Sequence, residues 1–229
     1  MQIPAQHAFV ALALAAIAPM FASGQEAAGA IDETPSKHVL WIIPNFRTSP
    51  DLKGYEPLTT KEKFTIATQD TFDRGTIALA ALFAGQSQLS NSDQSFGHGI
   101  EGYTHRWAAS YADFAIGNYM TEGVYPALLH QDPRYFRRGT GSFWGRLGYA
   151  VRQIVWTRTD SGGSQFNYSE IVGNSTAVAI SMAYRPDSRT APDALSMVAT
   201  QIGVDTAANI VKEFWPGRVP WKRQKGGGE

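Results

Sequence analysis

Apolar residues recur every three or four positions through most of this chain, and that spacing allows few structures other than helices. The clearest case lies near the C-terminus, where five residues follow one helical face: Leu195, Val198, Ile202, Ile210 and Phe214. Long runs of alternating apolar and polar residues, which are typical of half-buried strands, do not occur. The sequence therefore predicts an all-α fold.

We expect a single-domain bundle of about five helices between residues 38 and 216. The first helix begins at Thr59, because Thr59 and Glu62 form the sequence pattern of a capping box, and it is expected to continue to Gly85. An extended, proline-rich segment precedes it. The four later helices are predicted at residues 100–129, 143–156, 171–184 and 190–214.

The N-terminal 24 residues carry no charged side chain and contain an apolar run from Phe9 to Met20, followed by small residues up to Gly24. This pattern predicts a secretory signal peptide at residues 1–24. No Lys or Arg precedes the apolar run, and a retained anchor helix is the alternative. Residues 25–37 are expected to be a disordered lead, and residues 217–229 a basic, glycine-rich tail. The expected location is the periplasm or the periphery of the cell envelope.

Charge and composition exclude several classes of protein. The chain has 20 basic and 20 acidic residues and no cysteine. A zero net charge argues against a nucleic-acid partner, and the lack of cysteine excludes disulfides, thiolate metal sites and a cysteine nucleophile. After the signal, no apolar segment is long enough to span a membrane. The common hydrolase and nucleotide-binding motifs are missing, so a non-enzymatic role is favoured.

The strongest local charge excess lies between Gln131 and Arg158, where six arginines face one acidic residue. Arginines beside aromatic residues suit the recognition of phosphates or carboxylates. This pattern predicts binding of an anionic lipid surface or an envelope protein, without a cofactor. The candidate binding residues are Arg134, Tyr135, Arg137, Arg138, Trp144 and Arg146. The alternative is that these arginines cap helices and pair with acids of the chain itself.

A second candidate site is a metal centre. His98, Glu101 and His105 are spaced so that a helix would place all three on one face, and imidazoles with a carboxylate suit a divalent metal. Asp70 and Asp73 on the preceding helix could complete the ligand set. This arrangement predicts a metal-assisted hydrolase as the alternative function. The simpler interpretation is that Glu101 pairs with His105 one turn away.

Two further patterns concern packing. Arg106 and Asp113 are candidates for burial, with partners expected on other helices because seven residues separate them. Gly173, Ala177 and Ser181 place a small side chain at every fourth position, which favours close approach of a neighbouring helix.

Three segments carry a resemblance to a protein family. They are Thr121-Glu122-Gly123-Val124-Tyr125-Pro126, the run from His130 to Gly139, and Phe166-Asn167-Tyr168-Ser169-Glu170. Together they resemble a family of signal-bearing bacterial envelope proteins whose activity is uncharacterised, over about residues 40–216. The resemblance implies export and a shared fold, and it implies no activity.

Overall fold

The computed structural model describes residues 55–214, together with three two-residue strands at residues 38–39, 43–44 and 48–49. The predicted signal peptide, the predicted disordered lead and the predicted basic tail lie outside the described residues. Most of the proline-rich segment also lies outside them.

Helices account for 72% of the described region, so the all-α prediction is confirmed. In chain order the elements are β1 His38–Val39, β2 Ile43–Pro44, β3 Thr48–Ser49, α1 Thr60–Thr71, α2 Arg74–Leu89, a 3₁₀ turn Gln94–Phe96, α3 Gly99–Asn118, a π-helical turn Tyr119–Val124, α4 Tyr125–Leu129, β4 Gln131–Asp132, β5 Tyr135–Phe136, α5 Phe143–Val155, β6 Trp156–Thr159, β7 Ser164–Phe166, α6 Tyr168–Tyr184 and α7 Ala191–Phe214.

The predicted first helix is two helices. Its start is confirmed, since Thr59 accepts a hydrogen bond from the Glu62 amide and Glu62 bonds back to Thr59. The helix ends at Thr71, however, because Asp73 takes an extended conformation and accepts a hydrogen bond from the Gly75 amide at 2.6 Å. A short polar side chain that caps a new helix in this way competes with continuation of the old one.

The long central helix predicted from residue 100 to 129 is helical throughout but irregular. After α3, six residues form the π-helical turn, and α4 follows with Pro126 in its first turn. The π-helical turn packs against both α1 and α6. A Cβ atom added to Gly173 would lie 2.9 Å from Thr121 Cγ2, and one added to Gly123 would lie 3.1 Å from the Phe64 ring. Glycine at these positions allows the close contacts.

The longer helices pack as a row. α2 packs against α3, α3 against α6, α6 against α7, and α7 against α5. A small antiparallel sheet in the order β4-β6-β7 lies beside α5, and β5 pairs in parallel with β3. The β6–β7 hairpin turns at the Asp160-Ser161-Gly162-Gly163 sequence, where Gly162 has a positive φ of 84°. The sheet and α5 together position the arginine-rich segment.

The interior of the described region is unusually polar. Ionic side chains with no more than 1% exposure include those of Lys63, Arg106, Glu122, Asp132 and Glu213. Buried charges need partners, and a network of such partners fixes how helices pack. Among the described residues, no helix combines the length and apolar character needed to cross a membrane.

Candidate anion-binding site

Glu213, near the end of α7, fixes the arginine-rich segment in place. Its carboxylate is fully buried and accepts four hydrogen bonds, from the Tyr135 hydroxyl at 2.7 Å, the Arg138 and Gly139 amides at 3.0 Å, and Arg146 Nε at 2.8 Å. These donors use all the capacity of a carboxylate in this geometry. The chain from Tyr135 to Gly139 is therefore anchored to a residue about 75 positions further on.

Several of the predicted binding residues make contacts within the protein. Arg134 donates to both carboxylate oxygens of Asp132, with its shortest contact at 2.6 Å. Arg146 pairs with Glu213, and Arg137 Nε donates to the Glu213 carbonyl at 3.1 Å. Tyr135 is 3% exposed. Arg134 and Arg146 therefore pair with acids of the chain itself, as the alternative interpretation predicts.

The titration behaviour of these groups agrees with their burial. Burial raises the pKa of Tyr135 well above its usual range, and the hydrogen bond to Glu213 raises it further. Burial lowers the pKa of Arg134, but the bonds to Asp132 outweigh that effect, so its pKa is raised. Tyr135 therefore stays a neutral donor and Arg134 a cation.

Two other predicted residues, Arg138 and Trp144, face outward. The Trp144 side chain is 76% exposed. The Arg138 guanidinium is also exposed and lies 5.9 Å from the centre of the Tyr149 ring. Arg138 therefore lies on the protein surface next to Tyr149, a residue that the sequence prediction did not include.

That surface surrounds a cavity of about 330 Å³ between α5 and the β6–β7 hairpin, a size within the range of small-molecule pockets. We call it the arginine pocket. Its lining comprises Phe136, Tyr149, Arg152, Gln153, Trp156, Thr157, Arg158, Gly162, Gly163 and Ser164. The lining includes two arginines and three aromatic rings, and no acidic residue. Arg138 is not part of this lining, but its guanidinium lies beside the ring of Tyr149, which is.

Hydrogen bonds make the floor of the arginine pocket rigid. The Tyr149 hydroxyl and Gln153 Nε2 both donate to the Phe136 carbonyl at 2.8 Å, and the Phe136 amide donates to Gln153 Oε1 at 3.2 Å. The Phe136 ring in turn lies beneath two guanidinium groups, with Arg134 at 5.4 Å and Arg158 at 5.2 Å from its centre. The floor of the arginine pocket is therefore built on α5 and β5.

The arginines of the pocket retain free hydrogen-bonding capacity. Within the described residues, Arg138, Arg152 and Arg158 have no carboxylate within 4 Å. Arg158 donates one hydrogen bond, to the Gly162 carbonyl at 3.3 Å, whereas a guanidinium has five N–H donors. The side chain of Arg152 makes no hydrogen bond to the rest of this described region.

Three arginines influence the pKa of Tyr149. Burial raises this pKa, and the negative charge of Glu213 adds to the increase. Arg158, Arg138 and Arg152 all act in the opposite direction on the same phenol. Arg152 and Arg158 line the same cavity as Tyr149, and the Arg138 guanidinium lies 5.9 Å from the centre of the Tyr149 ring.

Nearby acids are neutralised by other cations. Asp132 pairs with Arg134, Glu213 with Arg146, and Asp160 with Lys63 at 2.7 Å. Between residues 125 and 168 the sequence contains six arginines and only two acidic residues. Arg138, Arg152 and Arg158 take no part in these pairs, and Arg137 donates to the Glu213 backbone carbonyl.

A second charged group lies at the junction of α3 and α6, and we call it the Arg185 cluster. Arg185 binds Asp93 at 2.7 Å and Asp113 at 2.6 Å. Asp113 also accepts hydrogen bonds from the Ser181 and Tyr184 hydroxyls. The prediction that Asp113 has partners on another helix is confirmed. The cluster borders a cavity of about 110 Å³, but its ionic groups bind one another.

Arg106 is also buried, as predicted, but its partners are unexpected. It is 0% exposed and donates to backbone carbonyls of the loop before α3, including those of Ser92, Asp93 and Gly97 at 2.7–3.2 Å. It therefore holds this loop, from which Asp93 reaches Arg185.

The predicted metal ligands do not form a group. His98 lies in extended backbone before α3, so that only Glu101 and His105 share the helix, and both are exposed. Asp73 caps α2, and Asp70 is 5% exposed on α1. In residues 55–214, no three His, Asp or Glu side chains are placed so that they could hold a metal ion. The metal-assisted alternative stays a prediction without a supporting contact.

Comparisons with protein-family models, curated proteins and solved structures found no match to this chain.

The sequence prediction missed Tyr149, Arg152 and Arg158 as site residues. The two arginines were counted in the charge excess, but their separation from the Arg134 region by more than a dozen residues hid their proximity. A usable signal was available: two acidic residues cannot neutralise six arginines in this segment.

Proposed function

We propose that the protein is a non-enzymatic, exported envelope protein that binds an anionic group, a phosphate or a carboxylate, in the arginine pocket. One observation carries this proposal. The acids around the pocket pair with Lys63, Arg134 and Arg146. Arg152 and Arg158 line a cavity whose lining contains no acid, and Arg138 lies beside the Tyr149 ring of the same cavity. Three cations held together without a counter-ion repel one another, and a bound anion would relieve that repulsion.

The chemistry of the pocket suits planar oxyanions. A guanidinium can donate two parallel hydrogen bonds to a phosphate or carboxylate, and such charge-assisted bonds are about twice as strong as neutral ones. Tyr149 and Phe136 lie against the guanidinium groups of Arg138 and Arg158, which limits the conformations of these side chains before an anion arrives. Partial enclosure beside Trp156 lowers the local dielectric and strengthens each contact.

Titration with inorganic phosphate, followed by calorimetry, tests the proposal. We expect Arg152→Gln and Arg158→Gln each to raise the dissociation constant at least about tenfold, because each removes a charge-assisted bond worth about 1.5–3 kcal/mol. The matched control is Arg74→Gln, which removes the same charge from an exposed position at the start of α2. Equal weakening by the control variant, or no effect of either pocket variant, would contradict the proposal.

Export is part of the proposal and has its own test. It is supported by the uncharged, apolar N-terminal sequence and by the resemblance to signal-bearing envelope proteins. Fractionation of cells that express a C-terminally tagged chain should recover a product that begins near Gln25 in the envelope fraction. Recovery of the protein in the cytosol with Met1 intact would contradict this part.

A further inference from the structure

An apolar stripe runs along the outer side of α5. Trp144 is 76% exposed, Val151 is 43% exposed and Val155 is 40% exposed. At 3.6 residues per turn, positions 144, 151 and 155 fall within about 40° of one another around the helix. Gly148 lies on the same side and leaves the surface between them open. Large exposed apolar groups in one line commonly mark an interaction surface.

The stripe adjoins the arginine pocket. Moving around α5 from Trp144, Arg152 follows at about 80° and Tyr149 at about 140°. Arg152 and Tyr149 both line the pocket, and so does Trp156, which is 44% exposed at the end of the helix. Apolar and cationic groups thus form one continuous face.

The charges on this face indicate which partner fits it. α5 contains two arginines, Arg146 and Arg152, and no acidic residue. Arg138 and Arg158 add positive charge at the arginine pocket, beside Tyr149 and Phe136. A helix with one exposed apolar line, an exposed tryptophan and flanking cations is typical of helices that lie in the headgroup layer of an anionic bilayer.

We infer that the anion bound by the arginine pocket is the phosphate of a membrane lipid, and that α5 lies along the bilayer surface. Trp144, Val151 and Val155 enter the boundary between headgroups and acyl chains, while Arg152, Arg158 and Arg138 bind the lipid phosphate. This inference rests on the proposed function and names the source of its anion. The other source of the same group, a free phosphate compound, is an outcome of the test.

The test is co-sedimentation of the full chain with vesicles of phosphatidylcholine, alone or mixed with phosphatidylglycerol in equal parts. We expect binding only to the mixed vesicles, and weaker binding at high salt because exposed charges are screened. Arg152→Gln should weaken partitioning about fivefold. The double variant Trp144→Ala with Val151→Ser should weaken it at least about tenfold. Two matched controls, Arg74→Gln and Leu89→Ser, change exposed residues of α2 and should have no effect.

Inorganic phosphate, measured in parallel by calorimetry, separates the two proposals. If the apolar double variant loses vesicle binding but binds phosphate as the wild type does, both proposals are supported. If phosphate binds and neither vesicle type does, the membrane inference is wrong and the proposed function stands. If phosphate does not bind while vesicle binding is unaffected by Arg152→Gln, the arginine pocket is not the anion site and the proposed function is wrong. Equal binding to both vesicle types would also overturn the inference.

Discussion

The Arg185 cluster and the arginine pocket contain the same kinds of residue but use them differently. In the Arg185 cluster, one arginine holds two carboxylates, and hydroxyls from the same helix complete the bonding of Asp113. In the arginine pocket, the carboxylates nearby are bound by other cations and three arginines remain. Ionic groups that satisfy one another fix a fold, whereas a surplus of one sign leaves capacity for a ligand.

The largest expected effect is on the Arg185 cluster. Arg185→Ala removes the only counter-ion that the described residues supply within 4 Å of Asp93 and Asp113. Breaking a buried ion pair in this way costs about 3–5 kcal/mol of unfolding free energy, because buried charges are left uncompensated. Urea unfolding followed by circular dichroism measures the loss. A loss below about 1 kcal/mol would show that the cluster is not structural, and the comparison would fail.

Glu213→Gln should have the next largest effect. The amide of glutamine can still accept hydrogen bonds, but it removes the charge that faces Arg146 and the two loop amides. We expect a loss of about 3 kcal/mol in unfolding free energy. Phosphate binding should weaken as well, because the backbone that carries Arg138 is no longer held. Unchanged phosphate binding together with lowered stability would show that the arginine pocket does not depend on this anchor.

A substitution in α6 tests how closely this helix must pack against the π-helical turn. The Cβ atom of Gly173→Ala would lie 2.9 Å from Thr121 Cγ2 and 3.2 Å from backbone of the π-helical turn. Overpacking of this kind costs about 1–3 kcal/mol, measured by urea unfolding. The control is Gly148→Ala on α5, where no atom lies within 4 Å of the added methyl group. That variant should be neutral or more stable by up to about 1 kcal/mol.

The smallest effect on stability is expected in the arginine pocket itself. Arg152→Gln changes an exposed side chain with no ionic partner in the described region, so unfolding free energy should stay within about 0.5 kcal/mol of the wild type. Together with weaker phosphate binding, this result would sharpen the contrast with Arg185. A loss above about 2 kcal/mol would place Arg152 among the structural arginines.

Much of the fold could be predicted from local signals in the sequence. The helical spacing near the C-terminus and the capping box at Thr59 are features of neighbouring residues, and both appear where the sequence analysis predicted them. The break at Asp73 was missed because two conformations were open to this residue. An aspartate inside a long helical pattern can continue the helix or cap a new one, and tertiary packing decides between them.

The site was predictable only as a charge excess. The arginine count between Gln131 and Arg158 pointed to the segment that contains the arginine pocket, but it could not show which arginines are neutralised. Arg146 is neutralised by Glu213, which lies 67 positions later in the chain. Arg158 lies beside the Phe136 ring because the β4-β6-β7 sheet brings the chain back to that place. Pairings over such distances are set by the whole fold and leave no local trace.

The anchoring of the arginine-rich segment by Glu213 has a consequence for the order of events during synthesis. A ribosome makes residues 135–139 about 75 codons before it makes their anchor, and during that interval Arg138, Gly139 and Tyr135 have no carboxylate to hold them. The segment from Tyr135 to Gly139 can therefore reach its anchored conformation only after Glu213 has been made. A chain cut short before Glu213 would lack the carboxylate that holds residues 135–139, so the anchored conformation of this segment requires synthesis of nearly all of α7.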